Sequence, residues 1–141
     1  MTLPASREDV FAVLSDGWLF AAWVVGASHI RKVDPGWPAK GSRIHHSVGA
    51  WPLHVQDTTE VLDVDPLRLL ELEARAWPFG VARVRLELTE TGPKATDVVM
   101  YEEAVRGPGK VVPQSWQALL LVPRNRESLR RLADLAVGKA A

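Results

Sequence analysis

The sequence predicts an α+β protein: an antiparallel sheet of six to seven strands covered by one long C-terminal helix, with two short helices after the first strand. Three observations predict it. Pro38, Pro52, Pro66, Pro78, Pro93 and Pro108 recur every 12 to 15 residues beside turn residues. Proline is excluded from central strands and favoured in turns, so these residues punctuate a meander. Two segments between them alternate strictly: Leu70, Leu72, Ala74 and Ala76 against Glu71, Glu73 and Arg75, then Ala82, Val84, Leu86 and Leu88 against Arg83, Arg85 and Glu87. That is the period of a strand with one buried and one solvated face. The third observation is residues 114–138, where Ala118, Val122, Leu129, Leu132, Ala133 and Ala136 fall on one helical face.

Each element then has a local reason. Residues 2–4 are short and extended enough for a first strand. Ser6 is an N-cap for a helix over 7–15, with Asp9 three residues on and Val10, Val13 and Leu14 as its apolar stripe. Gly17 stops it, and a second short helix runs through Trp23. Strands are expected at 27–34, 41–49, 53–64, 67–76, 80–90 and 95–106. Pro123 should kink or break the C-terminal helix.

Composition sets the function classes. The 141 residues suit one domain, 1–141, and are 47% hydrophobic and 24% charged with a net charge of zero. A balanced charge argues against nucleic acid and anionic membrane surfaces as partners. No cysteine is present, which excludes thiolate nucleophiles, thiolate zinc sites and disulfides. The apolar run Trp18–Ala27 is too short to cross a bilayer, so a cytoplasmic protein with no membrane insertion is expected. The sequence lacks the phosphate-loop, dinucleotide, serine-elbow and zincin motifs. No cofactor is expected. A metal site is not expected either, because His46, His54 and Asp57 fit no zinc spacing.

Side-chain size along the two clean strands points to a ligand site. Leu70, Leu72, Leu86 and Leu88 fill one end of the inner face, while Ala74, Ala76 and Ala82 leave the other end thin. Protein interiors do not carry large voids without reason, so a pocket belongs there, filled by ligand, water or tryptophan. Alternate turns of a meander share one end. That brings Trp51, Trp77 and Phe79 to the pocket mouth, with Trp116 at the helix start and Trp23 on the second helix. Six of the ten aromatic residues are tryptophan, which suits an apolar pocket or interface and equally suits core filling.

The polar candidates divide between chemistry and structure. Glu102 shares the inner face of its strand with Val98, Met100 and Ala104. It either orients a ligand, acts as an acid or base, or is held by a salt bridge. His46 is the inward member of the His45–His46 pair, either a proton-shuttling group near Glu102 or a hydrogen-bonded core histidine. Asp57 has inward parity with Thr59. Asn125 lies on the apolar face of the long helix and needs a partner: backbone, Glu102, water or ligand. Arg124, Arg126, Arg130 and Arg131 read as a solvated face, since acidic residues interleave with them.

The layout is that of a known superfamily. The residues Ser6-Arg7-Glu8-Asp9-Val10-Phe11-Ala12-Val13-Leu14, Trp23-Val24-Val25-Gly26, Asp34-Pro35-Gly36-Trp37-Pro38, Gly41-Ser42-Arg43-Ile44-His45-His46 and Asn125-Arg126-Glu127-Ser128-Leu129-Arg130-Arg131-Leu132 carry the likeness. The chain resembles the polyketide cyclase/dehydrase-like SRPBCC proteins of actinobacteria, within the START and Bet v 1-like helix-grip superfamily. The resemblance implies a curved sheet gripping the long helix and a cavity between them for a hydrophobic small molecule such as a lipid or polyketide. Some relatives are aromatase/cyclases, but no catalytic set carries over to these residues. Three functions follow as expectations: a binder of such a molecule, a cyclase or dehydratase using Glu102 and His46, or a protein-interaction module with a collapsed pocket. A monomer and a homodimer both fit.

Overall fold

The computed structural model describes residues 1–25, 27–48, 55–76, 80–106 and 114–140, with side chains at all of these except 27, 28, 48, 55, 56, 76, 80, 106, 114–123 and 140. The elements run β1 (Thr2–Leu3), α1 (Arg7–Leu14), a 3-10 turn (Gly17–Leu19), α2 (Phe20–Trp23), β2 (Ala27–Val33), β3 (Arg43–Val48), β4 (Val55–Asp65), β5 (Leu69–Ala76), β6 (Gly80–Gly92), β7 (Ala95–Arg106) and α3 (Gln114–Ala140). Seven strands form one antiparallel sheet in the order β1-β7-β6-β5-β4-β3-β2. The meander therefore pairs each strand with its chain neighbour, and β1 closes onto β7 at the far edge.

Local chemistry sets the helix ends. Ser6 Oγ accepts from the Asp9 amide at 3.1 Å, which satisfies an orphan donor at the α1 N-terminus. Gly17 lies where the chain presses against β2 and β3. A Cβ there would meet Val33 Cγ1 at 2.7 Å and Ile44 Cγ1 at 3.3 Å, so the close approach requires glycine. α3 continues through Pro123, and the expected break does not occur. Proline removes one amide hydrogen bond, and the turns on either side hold the helix.

The two sheet faces differ as the alternation requires. On the outer face Glu71 lies between Arg83 at 3.8 Å and Arg85 at 3.5 Å, and Arg83 also reaches Glu103 at 3.6 Å. On the inner face Val61, Leu70, Leu72, Leu86, Leu88 and Val98 are buried with Val10, Val13 and Leu14 of α1 and Leu129, Leu132 and Ala136 of α3. α1 and α2 both pack on α3, and the Val25 amide donates to Ser128 Oγ at 3.1 Å. The helices thus cover the end of the sheet that carries the leucines.

Candidate functional site

The strand register orders the inner face into rows. One row runs Ile44, Thr59, Ala74, Ala82, Ala104 across five strands. The next runs Val61, Leu72, Val84, Glu102, and the next Val64, Leu70, Leu86, Met100. In the leucine rows Leu70 and Leu86 are fully buried and Leu72 nearly so, while Val64, Met100 and Glu102 at the row ends are half-buried. In the small row Ala74, Ala82 and Ala104 face inward and yet stay partly accessible to solvent. The three alanines are therefore less completely covered than the leucines beside them, while Ile44 and Thr59 at the β3 side of the row are closed to solvent.

At the β3 side of this floor stands His46. Its register neighbours are Ile30 on β2 and Asp57 on β4. The ring is 2% exposed, stacks on Phe20 at 5.8 Å between centroids, and shares a 2.7 Å hydrogen bond through Nε2 with Thr59 Oγ1. Phe20 meets Trp23 edge-on at 5.7 Å, so α2 lays two aromatic rings over this corner. Asp57 accepts from the Thr58 amide through Oδ1 at 2.8 Å. Burial holds the His46 imidazole below its ordinary value of 6.5, with the Asp57 carboxylate pulling the other way and the Arg31 and His45 charges adding to the fall.

This shift has a sign for stability. The folded protein binds the His46 proton less readily than the unfolded chain does. Stability is therefore complete above the unfolded value of about 6.5 and falls as pH drops through it towards the lower folded value. Urea midpoints should decline between about pH 7.5 and about pH 5.5, and His46→Asn should flatten the part of that decline due to this residue. Equal slopes for the two proteins would show that His46 does not contribute.

At the β7 side stands Glu102. Its side chain is 7% exposed and is held by the Arg124 guanidinium of α3. Arg124 therefore does not belong to a solvated face, as its neighbours suggested. It leaves the exposed residues Arg126, Arg130 and Arg131 and turns onto the sheet. Arg130 and Arg131 do behave as surface residues, pairing with Glu127 at 3.8 and 3.1 Å. Asn125 Oδ1 is buried with no hydrogen-bond partner among the described residues, and the same holds for Glu102 Oε2 and His46 Nδ1.

The expected acid–base pair is not brought together. Three strands, β4, β5 and β6, lie between His46 and Glu102, about 19 Å along the sheet at ordinary strand spacing. Each has its own partner. Of the other expected site residues, Trp23, Asp57, Ala74, Ala82, Val84 and Met100 take the positions just given or line the adjacent rows. Trp51, Trp77 and Phe79 lie outside the described residues, as do the side chains of Ala76 and Trp116. Sequence reasoning missed Phe20, which stacks on His46, Thr59 as its hydrogen-bond partner, and Arg124. An inward carboxylate already called for a cation, and the helix that covers β7 was the place to seek it.

A separate open hollow lies between the end of α1, the 3-10 turn and the segment after β2, with Asp16, Trp18, Asp34 and Trp37 around it. Its polar groups are engaged. Asp16 caps the 3-10 turn through the Trp18 amide, Trp37 Nε1 donates to the Leu14 carbonyl, and Asp34 accepts from the Arg43 amide and pairs with His45. The hydrogen bond to His45 is the main reason the Asp34 carboxyl sits below its ordinary value. Among the described residues no helix is long and apolar enough to cross a membrane, and no cluster of three or more His, Asp or Glu is placed to hold a metal ion.

Known proteins share this architecture. Solved structures with the same fold include protein NE0264 of Nitrosomonas europaea, at 15% identity and a TM-score of 0.72 over 99% of this chain and 94% of that one. The Zhui aromatase/cyclase of Streptomyces sp. R1128 follows at 17% and 0.70 over 100% and 92%. Ara h 8.0201 matches at 10% and 0.71 over 98% and 94%. These likenesses establish a Bet v 1-like helix-grip fold, with the long helix held by the sheet. A search of curated proteins finds no match. A family model described as "Polyketide cyclase / dehydrase and lipid transport" matches residues 1–137. With the fold and nearly the whole length in agreement, the chain belongs to the polyketide cyclase/dehydrase and lipid transport family.

Proposed function

We propose that this protein binds a hydrophobic small molecule, a lipid, polyketide or similar metabolite, in the space between the small-residue row and α3. The observation that carries this reading is the accessibility of Ala74, Ala82 and Ala104 on the inner face, while the leucines beside them are dry. A face that turns inward and still admits solvent is a concave, mostly apolar site with few polar groups. Trp23 and Phe20, both nearly closed to solvent, pack behind one side, and Val84 and Met100 border the floor. His46, Asp57, Glu102 and Asn125 supply its polar points. The family description, which names both cyclases and lipid transport, supports the same ligand class.

Binding is favoured over turnover by a cyclase or dehydratase mechanism. General acid–base chemistry needs both groups within hydrogen-bond reach of one substrate position, and Glu102 and His46 sit three intervening strands apart. The accessible alanines also weigh against a collapsed pocket serving only as a protein-interaction surface. Native mass spectrometry with solvent extraction tests the binder directly: a stoichiometric small molecule is expected. Ala82→Leu fills the floor. It should weaken binding of the neutral fluorescent probe N-phenyl-1-naphthylamine by about tenfold or more, with a stability change within about 1 kcal/mol because the site has room. Unchanged probe binding would overturn the placement of the cavity.

A further inference from the structure

Glu102 has more acceptor capacity than the protein fills. Arg124 meets one carboxylate oxygen, while Oε2 is buried and has no hydrogen-bond partner among the described residues. The side chain is 7% exposed and stands on the inner face between Met100 and Ala104, beside the accessible row. One residue along α3 from the arginine, Asn125 Oδ1 is buried in the same condition. Burying an acceptor without a donor costs free energy, and an ionised one costs most. Both atoms accept and neither donates. Arg124 already balances the charge of Glu102, so an anionic ligand head would meet a carboxylate whose counter-ion is spent.

We infer that the ligand of this cavity is a neutral molecule carrying a hydroxyl group on an apolar carbon skeleton, a phenol or an alcohol, whose O–H donates to Glu102 Oε2. The inference rests on the cavity reading above and narrows it. A ligand whose one polar group is an ionised carboxylate is disfavoured, because it brings like charge and no donor. Asn125 offers a second acceptor to a second hydroxyl. Arg124 is a positioning residue: it fixes the carboxylate through Oε1 and leaves Oε2 without a donor.

The test compares 2-naphthol with 2-methoxynaphthalene by isothermal titration calorimetry on the native protein. The two probes share a skeleton, and only the first donates. The naphthol should bind about tenfold or more tightly, as sites built to accept a hydroxyl reject its methylated analogue. Glu102→Leu should bring the two affinities level. Equal binding of both probes to the native protein would leave the cavity standing and overturn the hydroxyl preference. A preference that survives Glu102→Leu would overturn the role of Glu102. Binding of neither probe would overturn the cavity itself. The two-probe comparison needs no variant, so a poorly folding Glu102→Leu protein leaves it intact.

Discussion

Leu86→Ala should destabilise the protein by about 3 kcal/mol, within the usual range for emptying a close-packed leucine site. Leu86 is fully buried and lies in its row between Leu70 and Met100, under the helices. The neighbouring strands hold the backbone, so the site cannot collapse and the cavity cost adds to the lost transfer energy. Domains of this size have about 5–15 kcal/mol in total, so one such change removes a large share. Ala82 sits four residues earlier on the same strand and the same face, and the opposite change there should cost little. Equilibrium urea unfolding of both variants checks the contrast. A loss below about 1 kcal/mol for Leu86→Ala would mean that the leucine end is not dense.

The second large effect concerns the Glu102–Arg124 pair. Arg124→Leu should cost about 2 kcal/mol, below the full penalty for breaking a buried pair because the Arg124 side chain is 37% exposed. The loss comes from Glu102, left inside the fold with its charge unmatched. Glu102→Leu combined with Arg124→Leu should recover most of it, since apolar side chains pack where the ions stood without a desolvation penalty. A double-mutant cycle measured by urea unfolding reads the coupling. Additive losses would show that the two side chains do not depend on each other. If the double variant is as stable as the native protein, the pair is retained for something other than stability, and ligand recognition is the role proposed for it.

The sheet was legible because period and punctuation agree. β5 and β6 alternate without interruption, and their ends match the expected bounds within two residues. β4 does not alternate cleanly, and the register shift between Val61 and Asp63 explains why: an irregularity there puts Val61 and then Val64 on the inner face. Alternation fails wherever a bulge inserts a residue. β2 carries two such shifts. The inward positions of His46 and Glu102 followed from parity alone. Their partners did not, because Thr59, Phe20 and Arg124 are set by how strands and helices meet, and one chain's periodicity does not encode that. The same limit made Glu102 and His46 look like neighbours: sharing one end of a sheet says nothing about how many strands lie between.

The closing pair, β1 on β7, has a consequence for how the chain assembles. Thr96 Oγ1 donates to the Ala5 carbonyl at 2.9 Å across a separation of 91 residues, while the β6–β7 hairpin turns within three residues of its Gly92–Ala95 pair. Loop closure grows by about 0.6 kcal/mol per doubling of length, so the distant join costs roughly 3 kcal/mol more chain entropy than the hairpin. β1 returns two ladder positions and a reciprocal pair of bonds between Met1 and Val98 for that cost, and the buried side chains of Leu3, Ala5 and α1 supply the rest. The amino-terminal join is therefore the sheet contact with the highest entropic cost of closure, and the burial of Leu3, Val10 and Val13 offsets it.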